Sequence, residues 1–502
     1  MRPVLIALVL ASVITVGIRW GTFVAGGSDS HCYLHQAQRW ASGRLQVPEP
    51  LALDAPWPNA PLTFAPAGHL PSPTVPGAIV PICPAGLSMA MAPFVALGGV
   101  RAAFLLVPLF GALLVAATFV VASRVSRRIG LACALVTAAS PVFLYQLVQP
   151  MSDVPAGALW MLSVALATGT RRWDPALSGA AVAAAVLVRP NLVPLAVPLA
   201  LFLLFRPERM WDERIRAGMA FAGCAALGPV AVASIQYSLY GSPLSSGYGT
   251  LGALFSVDHI APNAVRYASW LTETHTAAWA LALAAPFLLL GPVTWLFMAL
   301  FVVNVICYLP FVVFDDWSYL RFLLPTLPLL LILAIASLDS IARRIAPWTA
   351  RPVVAIAALT LAVTYVGEAE ARNVFRLHLL EARYERTGTF VDRRLPPNAI
   401  VITSSESGSV RFYSGRRTLA WDALDPSWLD AAITYLRTRG LEPFLLLETG
   451  EEPSFRRRFA SSPLGALDWP PAAEVASRVR IYRPDDREKY LRGSQPPVEY
   501  VP

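Results

Sequence analysis

The sequence predicts a polytopic α-helical membrane protein of about eleven transmembrane helices, carrying a small C-terminal α/β domain outside the membrane. Three observations predict it. The 502 residues are 56% hydrophobic and 14% charged, with mean hydropathy +0.54, whereas an ordinary soluble domain carries about 25% charged residues. Several apolar runs reach the roughly 20 residues that a helix needs to cross a bilayer. From residue 368 the chain turns polar, and short strand-like runs alternate with helical spacing. The net charge of +8 is almost all arginine, Lys489 being the one lysine. In such a chain it reads as a topology signal rather than as a nucleic-acid footprint.

The elements follow in order from the arginines, which favour cytoplasmic loops. The first apolar run, Pro3 to Val24, has Arg2 ahead of it and resembles a signal sequence, but no clear small-x-small cleavage site precedes Gly26-Gly27, so it reads as a retained anchor. Short basic loops lie at Arg124–Arg128, Arg171-Arg172, Arg206–Arg216 and Arg343–Arg351. With all four cytoplasmic, residues 26–100 form a first external loop, and spans follow at 101–123, 129–148 and 155–170. The run 176–205 is split by Arg189-Pro190-Asn191, because proline breaks a helix and the residue before it avoids the helical region. Further spans fall near 217–239, 276–290, 293–314, 319–338 and 352–366, with the tail outside. The stretch Ile79–Gly99, rich in proline, is expected to lie in the outer interface as a juxtamembrane helix rather than cross. Two domains result: a transmembrane module over 1–367 and an extracytoplasmic α/β domain over 368–502. Tail strands are expected at Ala399–Thr403, Thr418–Trp421, Pro443–Leu447 and Val479–Tyr482, with a helix over Pro426–Arg439. Ser404–Gly408 resembles a phosphate-binding turn but lacks the glycine fingerprint.

Asp29 sits where the first apolar helix has ended, and Tyr33, Ala37 and Trp40 share one face of a helix that starts there. Ser28 or Asp29 suits its N-cap. With this topology Asp29, Asp153, Arg189 and the segment Asp315–Arg321 fall on one outer face. Ionisable residues at membrane depth are costly, so each is a functional candidate, set against plain capping or interfacial anchoring. Arginines suit a phosphate; a carboxylate suits a proton from an acceptor hydroxyl, or a divalent metal. His31 and His35, four apart, make a metal-capable pair without a third ligand, and His69 has no evident partner. Cys32 and Cys83 both fall outside the membrane, where a disulfide between them is one option; no zinc-type Cys spacing occurs.

Five segments carry a resemblance. They are Ser28-Asp29 with Tyr33, Ala37 and Gly43-Arg44-Leu45; Ser152-Asp153-Val154-Pro155; Val188-Arg189-Pro190-Asn191; Gly241-Ser242-Pro243 with Ser246-Gly247-Tyr248-Gly249; and Tyr319 to Pro325. In this order, over residues 3–340, the chain resembles the GT-C membrane glycosyltransferases, the group that includes protein O-mannosyltransferases (family 39) and aminoarabinose transferases. The resemblance implies a polyprenyl-phosphate-linked sugar donor used on the extracytoplasmic side of a bacterial inner membrane, with a glycan, lipid or protein acceptor. It implies Asp29 as general base and Asp153 as a second acid for metal, donor or acceptor. Arg189, Arg321, Tyr33 and Tyr248 become substrate-binding candidates. Asp29 and Asp153 become the candidate ligands of a divalent metal. Asp29 is not followed by a second acid, and Ile79–Gly99 contains none, which leaves metal dependence open. A lipid or solute transporter, or a non-catalytic assembly protein, is the competing class; a transporter places its ionisable groups near the bilayer midplane.

Overall fold

The computed structural model describes residues 2–206, 208, 210–249 and 251–501. The chain forms two compact units, and their boundaries differ from a single cut at 367/368. One holds the chain up to Gly21 with Pro84–Ile235 and Gly249–Leu377; the other holds Thr22–Cys83, Gln236–Tyr248 and the chain from His378 onward. Much of the first loop thus belongs with the tail.

The first unit is helical. Among the described residues, five helices are long and apolar enough to cross a membrane: Arg2–Arg19, Ala85–Ala103, Leu106–Val125, Trp211–Tyr240 and Ala350–Ala371. Two bent pairs make seven: Gly130–Ala139 with Pro141–Leu147, at 62°, and Trp317–Leu323 with Leu327–Ile345, at 84°. The expected eleven depends on further apolar helices of only 10–17 residues, among them Asp153–Ala167 and Asp174–Val188. At 1.5 Å per residue, fifteen residues rise about 22 Å, short of a bilayer core of about 30 Å. The break at Arg189 falls where the sequence puts it: Arg189 has φ −141° and ψ 89°, and a 3₁₀ turn, Pro190–Leu195, follows. At Ser140 the hydroxyl accepts from the Phe143 amide and Pro141 starts a new helix, which explains the 62° bend. Residues 79–81 are strand rather than helix. The helical run begins at Ala85 and is interrupted at Gly99, whose φ is +71°.

The second unit is built on two sheets. Strands β1 (Val47–Pro48), β2 (His69–Pro71) and β3 (Ala78–Pro81) form a small antiparallel sheet in the order β1-β3-β2. The tail supplies β4 (Ala399–Ile402), β5 (Arg417–Leu419), β6 (Glu442–Glu448), β7 (Ala473–Val475), β8 (Val479–Tyr482) and β9 (Glu499–Val501), ordered β5-β4-β6-β8-β7-β9. Strands β4, β5 and β6 run parallel; β8 is antiparallel to β6 and β7. The inner strands are apolar on both faces, as a sheet covered on both sides requires. One face, with Ile400, Ile402, Leu445 and Leu447, packs on Trp57 and Phe64 from the first loop as well as on Trp421 and Phe455. The other, with Val401, Phe444 and Leu446, packs on Phe390 and Val391. Glu49, which is buried, and Arg411, which is half-buried, pair at 2.8 Å. Arg411 also donates to the Phe64 carbonyl at 2.7 Å, so this arginine ties loop to tail beside their shared core. The Cys32–Cys83 disulfide forms.

Candidate active site

In the helical unit, Asp153 and Arg189 come together. Asp153 occupies the first turn of the helix Asp153–Ala167, where a carboxylate meets the positive end of the helix dipole. Arg189 caps the C-terminal end of Asp174–Val188, where proline has stopped the helix. The Arg189 Nη2 lies 2.5 Å from the Asp153 Oδ1, both side chains buried. Its Nη1 donates to the Tyr308 hydroxyl at 3.1 Å, and its Nε lies 3.4 Å from the Ser152 Oγ. The Arg189 guanidinium also lies 5.7 Å from the centre of the Phe322 ring. Phe322 stacks on Tyr308 with centroids 4.6 Å apart. Arg321 reaches the same aromatic group, 5.0 Å from the Tyr319 ring centre and 5.5 Å from that of Phe322. Two guanidiniums therefore converge on Phe322, and that of Arg189 pairs with the Asp153 carboxylate.

Two further acids of this unit serve as a cap and as a surface partner. Asp316 accepts from the Ser318 amide at 2.9 Å and caps the 3₁₀ turn Trp317–Leu323. Asp315, 90% exposed, pairs with Arg266.

In the second unit, Asp29 is the first residue of the helix Asp29–Ser42. Ser28 stands at the N-cap position but makes no side-chain capping bond. Gly26 and Gly27 make the approach. A Cβ on Gly26 would come within 2.3 Å of the Tyr384 ring, and Gly27 has φ +56°. Tyr33 and Ala37 are buried, but so are His31, Cys32, Leu34 and Gln36, so the helix is enclosed rather than amphipathic. Tyr248 is 43% exposed at the end of Gln236–Tyr248; beside it, a Cβ on Gly247 would come within 2.3 Å of the Ile82 backbone.

A divalent metal at Asp153 would share that carboxylate with Arg189. The Asp153 Oδ1 is already engaged by a guanidinium, and a dication there would face the Arg189 charge. Among the described residues, one group of three His, Cys, Asp or Glu side chains is close enough to share an ion, namely His31, His35 and His69. The Ser404–Gly408 turn is also taken. The Ser405 amide and hydroxyl bind the Glu451 Oε1 at 3.1 and 2.7 Å, so the chain's own carboxylate sits where a phosphate would.

No protein-family model and no curated protein matches the sequence. Solved structures do. ArnT from Cupriavidus metallidurans in the apo state is similar with a TM-score of 0.57 at 12% identity, over 95% of this chain and 97% of that one. The chain has the GT-C fold. ArnT from the same organism bound to undecaprenyl phosphate gives 0.53 at 13% identity, over 90% and 94% of the two chains. An Archaeoglobus fulgidus oligosaccharyltransferase, tethered to an acceptor peptide containing the NVT sequon, gives 0.57 at 11%, over 93% of this chain and 72% of that one.

Within the GT-C fold of this chain, sequence reasoning missed Tyr308 and Phe322 as the frame of the arginines. Tyr308 ends an apolar helix and looks like an interfacial anchor; its role depends on an approach across more than a hundred residues that no local spacing encodes. It also missed His69 as a partner of His31 and His35.

Proposed function

We propose that the protein is a membrane glycosyltransferase that moves a sugar from a polyprenyl-phosphate donor to an acceptor hydroxyl, with Asp29 as the general base. The observation that carries this reading is the full-length likeness to ArnT, one structure of which is bound to undecaprenyl phosphate. The acceptor oxygen attacks the anomeric carbon as its proton passes to the Asp29 carboxylate. The bond from that carbon to the phosphate oxygen breaks, and polyprenyl phosphate leaves as an anion. Arg321 and Arg189 offset the charge developing on the leaving group, from beside the Tyr308, Tyr319 and Phe322 rings. A single displacement of this kind inverts the anomeric carbon. Asp153 is a positioning residue: it holds the Arg189 fork through one oxygen, while Tyr308 holds the other side. Tyr33 and Tyr248 are proposed donor or acceptor contacts. The Cys32–Cys83 disulfide beside Asp29 supports an extracytoplasmic setting for this chemistry, because disulfides persist in oxidising compartments.

Release of polyprenyl phosphate from a panel of lipid-phosphate sugars tests the reading, comparing reconstituted wild type with Asp29→Asn. Loss of about 10²–10⁴-fold in turnover with folding intact is the expected result. Undiminished turnover in Asp29→Asn removes the base from the mechanism.

A further inference from the structure

The helix that starts at Asp29 carries His31 and His35 one turn apart, and His69 opens β2. One ring nitrogen from each lies within 4.8 Å of the other two. His31 is 1% exposed and His69 7%, and His35 closes the group from the less buried side. The His31 Nδ1 is 2.9 Å from the Ala67 carbonyl oxygen. An imidazole that donates there keeps its lone pair on Nε2, which is how backbone carbonyls orient metal-binding histidines. The His35 Nδ1 lies 2.8 Å from the His69 Nε2, so these two nitrogens share either a proton or a cation. If they share a proton, Arg39 donates to the His35 Nε2 at 3.2 Å, and the His69 Nδ1 is left buried without a hydrogen-bond partner.

The scaffold holds the three rings together before any ion arrives. The Cys32–Cys83 bond ties the helix to the end of β3, and β3 pairs Pro81 with His69. Gly408 closes one wall, where a Cβ would come within 2.3 Å of the His31 Nδ1.

We propose that His31, His35 and His69 bind one divalent transition-metal ion of the zinc class through three imidazole nitrogens, with a fourth position for water. Imidazole donors favour such ions over magnesium or calcium. At zinc–nitrogen distances of about 2.0–2.1 Å, tetrahedral ligands stand about 3.4 Å apart. Entry of the ion therefore opens the His35–His69 contact by about half an ångström. With Nδ1 on the metal, His35 keeps its proton on Nε2, and Arg39 turns away. The proposal does not rest on the glycosyl-transfer reading.

Chelator-stripped full-length protein in detergent, titrated with Co²⁺ alone and then with competing Zn²⁺, tests the site. The expected result is one equivalent of Co²⁺ with the visible absorption of a tetrahedral complex, displaced by Zn²⁺. His69→Ala loses the band and weakens binding about 100-fold, whereas Arg39→Ala, which removes a competing cation, retains or tightens it. If His69→Ala fails to fold, His35→Gln takes its place. A wild type that binds no saturable equivalent, or a folded His69→Ala or His35→Gln that binds like wild type, overturns the proposal.

Discussion

Arg189 stands at a helix end because the residue after it is proline, and it stays buried because Asp153, Ser152, Tyr308 and Phe322 surround it. Removing one member of a buried pair leaves the other charge desolvated. Asp153→Ala is therefore expected to cost about 3–5 kcal/mol in a reversible unfolding measurement in detergent. Combining it with Arg189→Met should recover part of that loss, which a double-mutant cycle reads directly. Two groups of the second unit titrate with opposite sign. Burial raises the Glu406 carboxyl to about 8, against the pull of its Ser409 bond. The folded state thus holds a proton that the unfolded chain releases near its ordinary value. That contribution is complete below the unfolded value and is lost as pH rises through about 8. Glu406→Gln should flatten the alkaline limb of the stability curve. The histidines run the other way: burial, then the mutual repulsion of the rings and the nearby Arg39 and Arg411, depress them. Their contribution is complete above about 6.5 and is lost as pH falls towards 4. Melting temperatures across that range, with and without Zn²⁺, check the acid limb.

At the level of elements, the packing of helices onto one another is set by a few positions without side chains. A Cβ on Gly86 would come within 2.4 Å of the backbone at Leu187 and Val188. Gly86→Ala must therefore push the helix Ala85–Ala103 off Asp174–Val188, the helix that ends in Arg189. A loss of about 1–3 kcal/mol is expected, with weakened activity, in paired unfolding and turnover assays. The break at Arg189-Pro190 was legible, because proline acts on its own neighbours. So were the tail strands β4, β6 and β8, which are largely apolar and bounded by turns, while β5 meets its expected run only at Thr418 and Leu419. Three residues each is too short for β7 and β9 to show a period, and β1 to β3 hide among prolines. The 3₁₀ helix Ala277–Ala284 reads as an ordinary apolar span, since hydropathy does not distinguish a 3₁₀ from an α turn. Of the candidate residues, Asp153 and Arg189 were expected on one outer face; their direct pairing was not read, because it depends on how two helix ends meet. Nor was the histidine triad, because His69 reaches the other two only through β3 and the disulfide.

On the scale of the whole molecule, the tail is not a self-contained appendage. Its sheet is roofed on one face by Trp57 and Phe64, and Arg411 is neutralised by Glu49. A fragment from His378 onward should expose that face and bind hydrophobic dyes. In the full chain, Trp57→Ala should cost about 3–5 kcal/mol by unfolding of the second unit. Either result is read by calorimetry and dye fluorescence; a fragment that melts like the intact unit would show that the tail needs no roof. The same arrangement bears on the order in which the protein is made. The Ala67 amide donates to the Ser407 hydroxyl across 340 positions of chain. At roughly 5–20 residues per second, the first loop waits on the order of 20–70 seconds for its partner strands to be synthesised. Throughout that interval the Cys32–Cys83 bond is the one covalent clasp available to hold the loop in shape. Newborn chains in which both cysteines are replaced should therefore fall to proteolysis before the ribosome finishes, even where the completed protein could tolerate the loss.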